Sequence, residues 1–380
     1  MSKSSTDLTE PLLYFQFSDA EEKIKPLYFT NPKEIIIAYE IMDVIPSIMK
    51  IQQYVDSGFF AAGYMSYEAA PAFDNSFKVN HKSKMPLIWF GIYDKPIEGE
   101  LVEKGEYKIS AWEPTIKMQD YAEAFSEIKK NIEDGVTYQV NYTIRLQAQF
   151  EGDSLAYYQD LSKAQSSNYC AYINTKEYSI LSASPELFFR INGNKIITRP
   201  MKGTVKRGST DEEDLINIRW LASSEKNRSE NLMIVDLLRN DLGRLANTGT
   251  VKVPKIFEIE EYPTVYQMTS TVTAELPSEI KFADIFKALF PCGSITGAPK
   301  ISTMEIISKL EYAPREAYCG TIGFITPQKE AIFNVPIRTV IVENATGRAE
   351  YGVGGGITWD STAEEEYNEI LTKARFLEVK

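Results

Sequence analysis

The stretch from Gln139 to Phe150, QVNYTIRLQAQF, alternates without a break. Val140, Tyr142, Ile144, Leu146, Ala148 and Phe150 fall on one side; Gln139, Asn141, Thr143 and Arg145 fall on the other. So long a period of two predicts a strand in an antiparallel sheet, one face on a core and the other toward solvent or a wet cavity. Neighbouring segments read the same way. Residues 12–17, 59–67 and 86–93 predict strands, and residues 43–56 and 119–134 predict helices closed by Gly58 and Gly135. LFFRI and KIIT flank Asn192-Gly193-Asn194, which predicts a hairpin. Helix signals run over 210–246 with a break near Ser223-Ser224. Strands at 251–260 and 264–275 and a helix at 282–289 follow. Strands that succeed one another directly imply an α/β protein of α+β character, with large antiparallel or mixed sheets packed together and helices outside.

With 380 residues, 43% of them hydrophobic, the chain can bury one large core or two interlocked ones. A formal net charge of −12 argues against nucleic acid as a partner. The polar opening MSKSSTDLTE gives the expectation of no leader, and no apolar run approaches the ~18 residues of a membrane span. Cys170, Cys292 and Cys319 stand far apart, which fits a reducing cytoplasm and no disulfide framework. His81 is the single histidine, in the polar stretch KVNHKSKMP. Nucleophile–histidine arrangements and histidine-rich metal sites therefore have almost nothing to rest on. Acid–base chemistry falls to Glu, Asp, Lys and Tyr, and a metal would be a hard ion held by carboxylates.

Several motifs could carry such chemistry. The hairpin ends by delivering Pro200, Met201, Lys202 and Gly203 into a turn, so Lys202 is either a placed amine or a solvated loop lysine. Glu186, in SPELFF, stands at the hairpin's entry. Asn227 and Glu230 share a helix face. PCGSITGAPK leads into a helix with Pro299 at its first position, and free N–H groups near Thr296 to Ala298 would suit an anion. Arg338 falls in the strand-like AIFNVPIRTV. Gly354, Gly355 and Gly356 close a strand where backbone can approach a ligand. Ser361-x-x-Glu364 reads as a capping box for the last helix, on which Glu366 and Glu369 lie a turn apart, either converging or as a solvated acidic face.

Together, YQVNYT, SPELFF, RPMKGT, RSENLMIVDLLRNDLGR, GSITGAPK, AYCGTIGF, FNVPIRT, GVGGGIT and EEEYNEI resemble the chorismate-utilising enzymes. That family includes component I of anthranilate and aminodeoxychorismate synthases, and isochorismate and salicylate synthases. The resemblance covers residues 110–380, and SYEAAP extends it into the N-terminal part. It implies an anthranilate-synthase component I-like fold, with an N-terminal subdomain over 1–112 interlocked with a chorismate-binding domain over 113–380. Lysine at Lys202, in PMKGT, resembles the members that aminate chorismate at C4 on the way to 4-aminobenzoate and folate; anthranilate synthases carry alanine there. The resemblance makes Lys202 the nucleophile, assisted by a positive neighbourhood from Lys206 and Arg207, and Glu186 the general acid. It makes Glu230, Glu369 and Glu366 magnesium ligands, with Asn227 nearby. Thr204, Ser294, Thr296, Gly297, Tyr318, Arg338, Gly354, Gly355 and Gln139 would bind substrate. Gln139 stands where water-adding relatives carry lysine, and Gln267 where both synthases commonly carry histidine. With no glutaminase residues of its own, the chain would draw ammonia from a separate amidotransferase subunit. An LLES-like segment is missing, which implies no tryptophan site. Anthranilate synthesis and a non-enzymatic chorismate-binding role remain the alternatives.

Overall fold

In a computed structural model, which describes residues 10–378 apart from 20, 22, 102–104 and 263–264, the alternating stretch forms the strand Gln139–Gly152. The expectation about a leader rests on residues 1–9, outside the described residues. Two antiparallel sheets lie against each other. In the first, Gln139–Gly152 pairs with Arg348–Ile357, and the order continues through Thr339–Glu343, Tyr178–Ser184, Tyr169–Asn174, Leu12–Ser18, Ile24–Thr30 and Ile97–Glu98. The second runs Met201–Lys206, Val265–Glu275, Lys195–Arg199, Leu187–Asn192, Ala331–Asn334, Thr321–Ile325, Phe60–Met65, Ile88–Tyr93 and Glu34–Ala38. The first hundred residues thus supply strands to both sheets.

Apolar patterning sets the layers. Val140, Tyr142, Ile144, Leu146, Ala148 and Phe150 pack in one core with Tyr121, Phe125 and Ile128 of the helix Met118–Glu133 and Ile370 of the helix Ala363–Ala374. A second core joins the outer face of the other sheet to the helices Ile41–Asp56, Glu225–Gly243 and Phe282–Leu289. A third lies between the sheets, where Leu13, Phe15, Phe17 and Phe29 meet Tyr64, Trp89, Tyr93 and Ile322. The result is helix, sheet, sheet, helix, each sheet burying both faces over part of its area. Beyond the aromatic core, the space between the sheets is lined by polar residues.

Four local expectations are corrected. Lys202 lies on a strand, Met201–Lys206, rather than in a turn: its ladder with Val265–Glu275 is broken by a bulge between Met201 and Thr204, where Gly203 takes φ +93°. Arg338 is not within a strand, because AIFNVPIRTV breaks into Ala331–Asn334 and Thr339–Glu343 and leaves Arg338 between them at φ +51°. The last helix is capped by Thr362, whose hydroxyl accepts from Glu365 N, while the Ser361 hydroxyl donates instead to the Glu366 carboxylate. Pro299 precedes the helix Lys300–Leu310 as its cap rather than opening it.

Candidate active site

The polar ends of the two sheets bring together most of the residues singled out by sequence. A Cβ on Gly356 would lie 2.0 Å from Gln139 Nε2 and 3.4 Å from Lys202 Nζ, so an amide of one sheet and the amine of the other meet over a bare stretch of backbone. Gly203 places its Cα against Asn227, whose side chain turns back to the Ser224 hydroxyl. Thr204 Oγ1 accepts from Gln267 Nε2 at 3.1 Å.

Glu186 is buried where Tyr178–Ser184 passes to Leu187–Asn192. Its backbone N–H donates to Ser184 Oγ, its carbonyl accepts from Val335 N, and the Ser294 hydroxyl donates to its Oε1 at 2.6 Å. Burial pushes its pKa up to about 7, against the Ser294 hydrogen bond and the positive charge of Lys202, which both pull it down. A carboxyl that holds its proton near neutrality, beside an amine, is equipped as a general acid.

Ser294 sits in the short turn Gly293–Ile295, against which Gly293 leaves no room for a Cβ beside Leu237. The N–H groups expected to be free for an anion are partly used: Thr296 N donates to Gly293 O, and Thr296 O accepts from Asn141 N. Gly297, at φ +142°, presses on the Gln139 carbonyl. The buried Arg315 fastens this turn by donating to Ile295 O at 2.7 Å and to Asn141 O at 2.8 Å.

Two helices supply the carboxylates. Burial raises the pKa of Glu230 on Glu225–Gly243, and the negative charge of Glu369 adds to the rise. Burial also raises Glu366, again with Glu369 adding and the Ser361 hydrogen bond opposing. Glu369 is lowered, chiefly by Lys373, whose Nζ stands 2.7 Å from Glu369 Oε1 and donates to Gly354 O at 2.9 Å. The donor set is all oxygen and carries surplus negative charge, which fits a hard divalent ion. Among the described residues no three acidic, cysteine or histidine side chains form a ready cluster, but magnesium needs only one or two carboxylates and keeps its waters.

Arg338 is half-buried, and its pKa is lowered by desolvation; among the described residues no carboxylate pairs with it. An unpaired guanidinium in a desolvated cleft is a receptor for an anion. The Tyr318 ring packs on Gly352, where a Cβ would come within 2.3 Å. The anticipated help from Arg207 fails: it is bound to Asp214 and Glu261 and lies over the Tyr266 ring. Two residues went unnoticed in the sequence. Lys373 had a usable signal, the i,i+4 spacing after Glu369, whereas nothing in EYAPREAYC marked Arg315 as buried.

A family model described as chorismate binding enzyme matches residues 98–378. Aminodeoxychorismate synthase component 1 of Klebsiella aerogenes is 42% identical over 264 residues, and anthranilate synthase component 1 of Methanothermobacter marburgensis is 33% identical over 344. The first match covers 70% of this chain but 58% of the relative, so the chain spans somewhat over half the length of that relative. The second covers 83% of this chain and 73% of the relative. Among solved structures, a putative 2,3-dihydroxybenzoate-specific isochorismate synthase from Bacillus anthracis shares the fold with a TM-score of 0.78 at 18% identity, covering 96% of this chain and 94% of the other. Anthranilate synthase component I from Streptococcus pneumoniae does so with a TM-score of 0.76 at 22% identity, covering 99% and 94%. The chain belongs to the family of chorismate-binding enzymes.

Proposed function

We propose that this chain aminates chorismate at C4, as an aminodeoxychorismate synthase component I, using ammonia from a separate glutamine amidotransferase subunit. The observation that carries the reading is the buried Glu186, whose carboxyl burial raises to about 7 although the Ser294 hydrogen bond and the positive charge of Lys202 pull it down. The neutral Lys202 amine attacks C2 of chorismate, the ring double bond shifts, and the C4 hydroxyl leaves as water with the proton of Glu186. Ammonia then forms its bond at C4 as the C2–Nζ bond breaks and the electron pair returns to Lys202. The proton lost by the new amine restores Glu186. Arg338 and Tyr318 face the enolpyruvyl carboxylate, with Gly354 and Gly355 beside it; Thr296 and Gly297 lie toward the other carboxylate. Magnesium, held by Glu230 and Glu369 with Glu366 alongside, would supply positive charge for the ring carboxylate.

Anthranilate synthesis is the second reading. It demands elimination of pyruvate, and a nucleophilic lysine at Lys202 has no part in that. The test incubates purified chain with chorismate, Mg²⁺ and excess ammonium, without glutamine. An amino-dienyl product that a lyase converts to 4-aminobenzoate is the expected result, and fluorescent anthranilate is the result that overturns it.

A further inference from the structure

We infer that Arg315 is a positioning residue for the acid Glu186: it fixes the turn Gly293–Ile295 so that the Ser294 hydroxyl stays on Oε1 and the transferable proton is carried on Oε2. The assignment rests on the amination reading above. Arg315 is 2% exposed, and its guanidinium makes four hydrogen bonds. Two go to Glu311, from Nε to Oε2 at 3.0 Å and from Nη2 to Oε1 at 2.7 Å. The other two go to backbone, from Nη1 to Ile295 O at 2.7 Å and from Nη2 to Asn141 O at 2.8 Å. Glu311 is itself held, because its Oε1 accepts from the Thr143 N–H at 2.9 Å and from the Thr143 hydroxyl at 2.8 Å. The Tyr67 ring closes over the guanidinium at 4.6 Å. A planar cation tied this way cannot turn without breaking several charge-assisted bonds at once.

The turn does little to hold itself. Its own bonds are long, Ile295 N to Cys292 O at 3.4 Å and Thr296 N to Gly293 O at 3.2 Å. The short bond on this segment is the one from Arg315 to Ile295 O, one residue beyond Ser294. Asn141 Nδ2 adds a second donor to that carbonyl at 3.2 Å, and the Asn141 carbonyl is gripped by the same guanidinium.

Ser294 has one hydroxyl proton to give. It goes to Glu186 Oε1 at 2.6 Å, so the Cys292 thiol, 3.2 Å from Ser294 Oγ, acts as donor to it. The carbonyl oxygen of a carboxylic acid accepts better than its hydroxyl oxygen, so this bond keeps Oε1 as the carbonyl and places the acid proton on Oε2. Among the described residues no hydrogen bond reaches Oε2. The charged and titratable groups that face Glu186 are Lys202, which favours the carboxylate, and Cys292, whose thiol burial pushes up to about 12 and so keeps neutral; Lys300 lies beyond Cys292, paired with Asp241. Freeing the turn leaves these in place and removes the Ser294 bond, which also favours the carboxylate, so Glu186 then binds its proton more tightly.

The test is an infrared titration of the Glu186 carboxyl in the unliganded chain, its band assigned by subtracting Glu186→Gln. Arg315→Lys keeps a cation beside Glu311 but, with a single nitrogen, does not span Glu311, Ile295 O and Asn141 O together. It raises the midpoint by about one unit, Ser294→Ala raises it equally, and the two combined raise it no further. Should Arg315→Lys not fold, Arg315→Met joined to Glu311→Gln removes both buried charges, keeps an acceptor for Thr143 and gives the same shift. The alkaline limb of kcat/KM for amination moves upward with the midpoint. An arginine that is merely structural lowers the urea midpoint and leaves the titration where it was. That result in a folded variant, or a shift that adds to the one from Ser294→Ala, overturns the assignment alone. Midpoints that move as stated in a chain forming no aminated product overturn the functional reading and leave the hold on Glu186 standing.

Discussion

In the mechanism proposed above, the chemistry at the residue scale turns on two groups whose protonation must be opposite at the moment of attack: Lys202 neutral, Glu186 protonated. Because Glu186 is raised to about 7, its acid form is the major species below that pH and fades above it. The alkaline limb of kcat/KM therefore falls through about pH 7, and Glu186→Gln removes that limb while lowering kcat by roughly 10²–10⁴. A pH–rate profile in which the limb persists in the variant would assign it to another group. Lys202→Ala leaves Glu186 without its neighbouring positive charge, so the carboxyl titrates higher still, which a carboxyl infrared titration reads directly.

Among the elements, the two helices that carry Glu230 and Glu369 would, on the proposed reading, hold the cation. Lys373 holds Glu369 and the Gly354 carbonyl together, so Lys373→Met frees a carboxylate and should lower the Mg²⁺ concentration needed for half-maximal activity, measured by metal titration. An unchanged or higher Mg²⁺ requirement would mean that Lys373 is not a competitor for that site. The strands beneath them tolerate little. In Gly352→Ala the new Cβ meets the Tyr318 ring at 2.3 Å, and urea unfolding should register a loss of about 1–3 kcal/mol. Much of this architecture was legible in the chain. The period of two in Gln139–Gly152 and the hairpin around Gly193 follow from local sterics, and the carboxylate pairs follow from helical spacing. Three details were not. Whether Lys202 lay in a turn or on a bulged strand depended on pairing with Val265–Glu275, more than sixty residues away. The break at Arg338 comes from two strands that join different sheets. The capture of Arg207 required Asp214 and Glu261 to fold back upon it.

The molecule as a whole is pinned together through Glu68, in the SYEAAP stretch. It is buried and accepts from the backbone N–H groups of Arg315 at 2.7 Å and Glu316 at 2.9 Å. Glu316 in turn accepts from the Ser83 hydroxyl and from Lys84 and Met85 N–H, so the loop before the strand Ile88–Tyr93 holds the segment that leads to Tyr318. Burial, with the charge of Glu316 adding, pushes Glu68 up to about 8. A carboxyl raised above its unfolded value binds its proton more tightly in the folded state. Its contribution to stability is full below about pH 4.5 and is lost as pH rises toward 8. The urea midpoint should therefore fall between pH 6 and 8 and level off above. Glu68→Gln should show a shallower slope from a lower starting point, since one backbone donor loses its acceptor. A slope equal to that of the wild type would place the titration elsewhere. Covalent attachment of substrate to Lys202 is read by mass spectrometry of the chain quenched with chorismate and Mg²⁺ in the absence of ammonia. The expected result is a peptide containing Lys202 heavier by chorismate less one water, discharged on adding ammonium and absent in Lys202→Ala. An unmodified Lys202 in a chain that nevertheless aminates chorismate would contradict it.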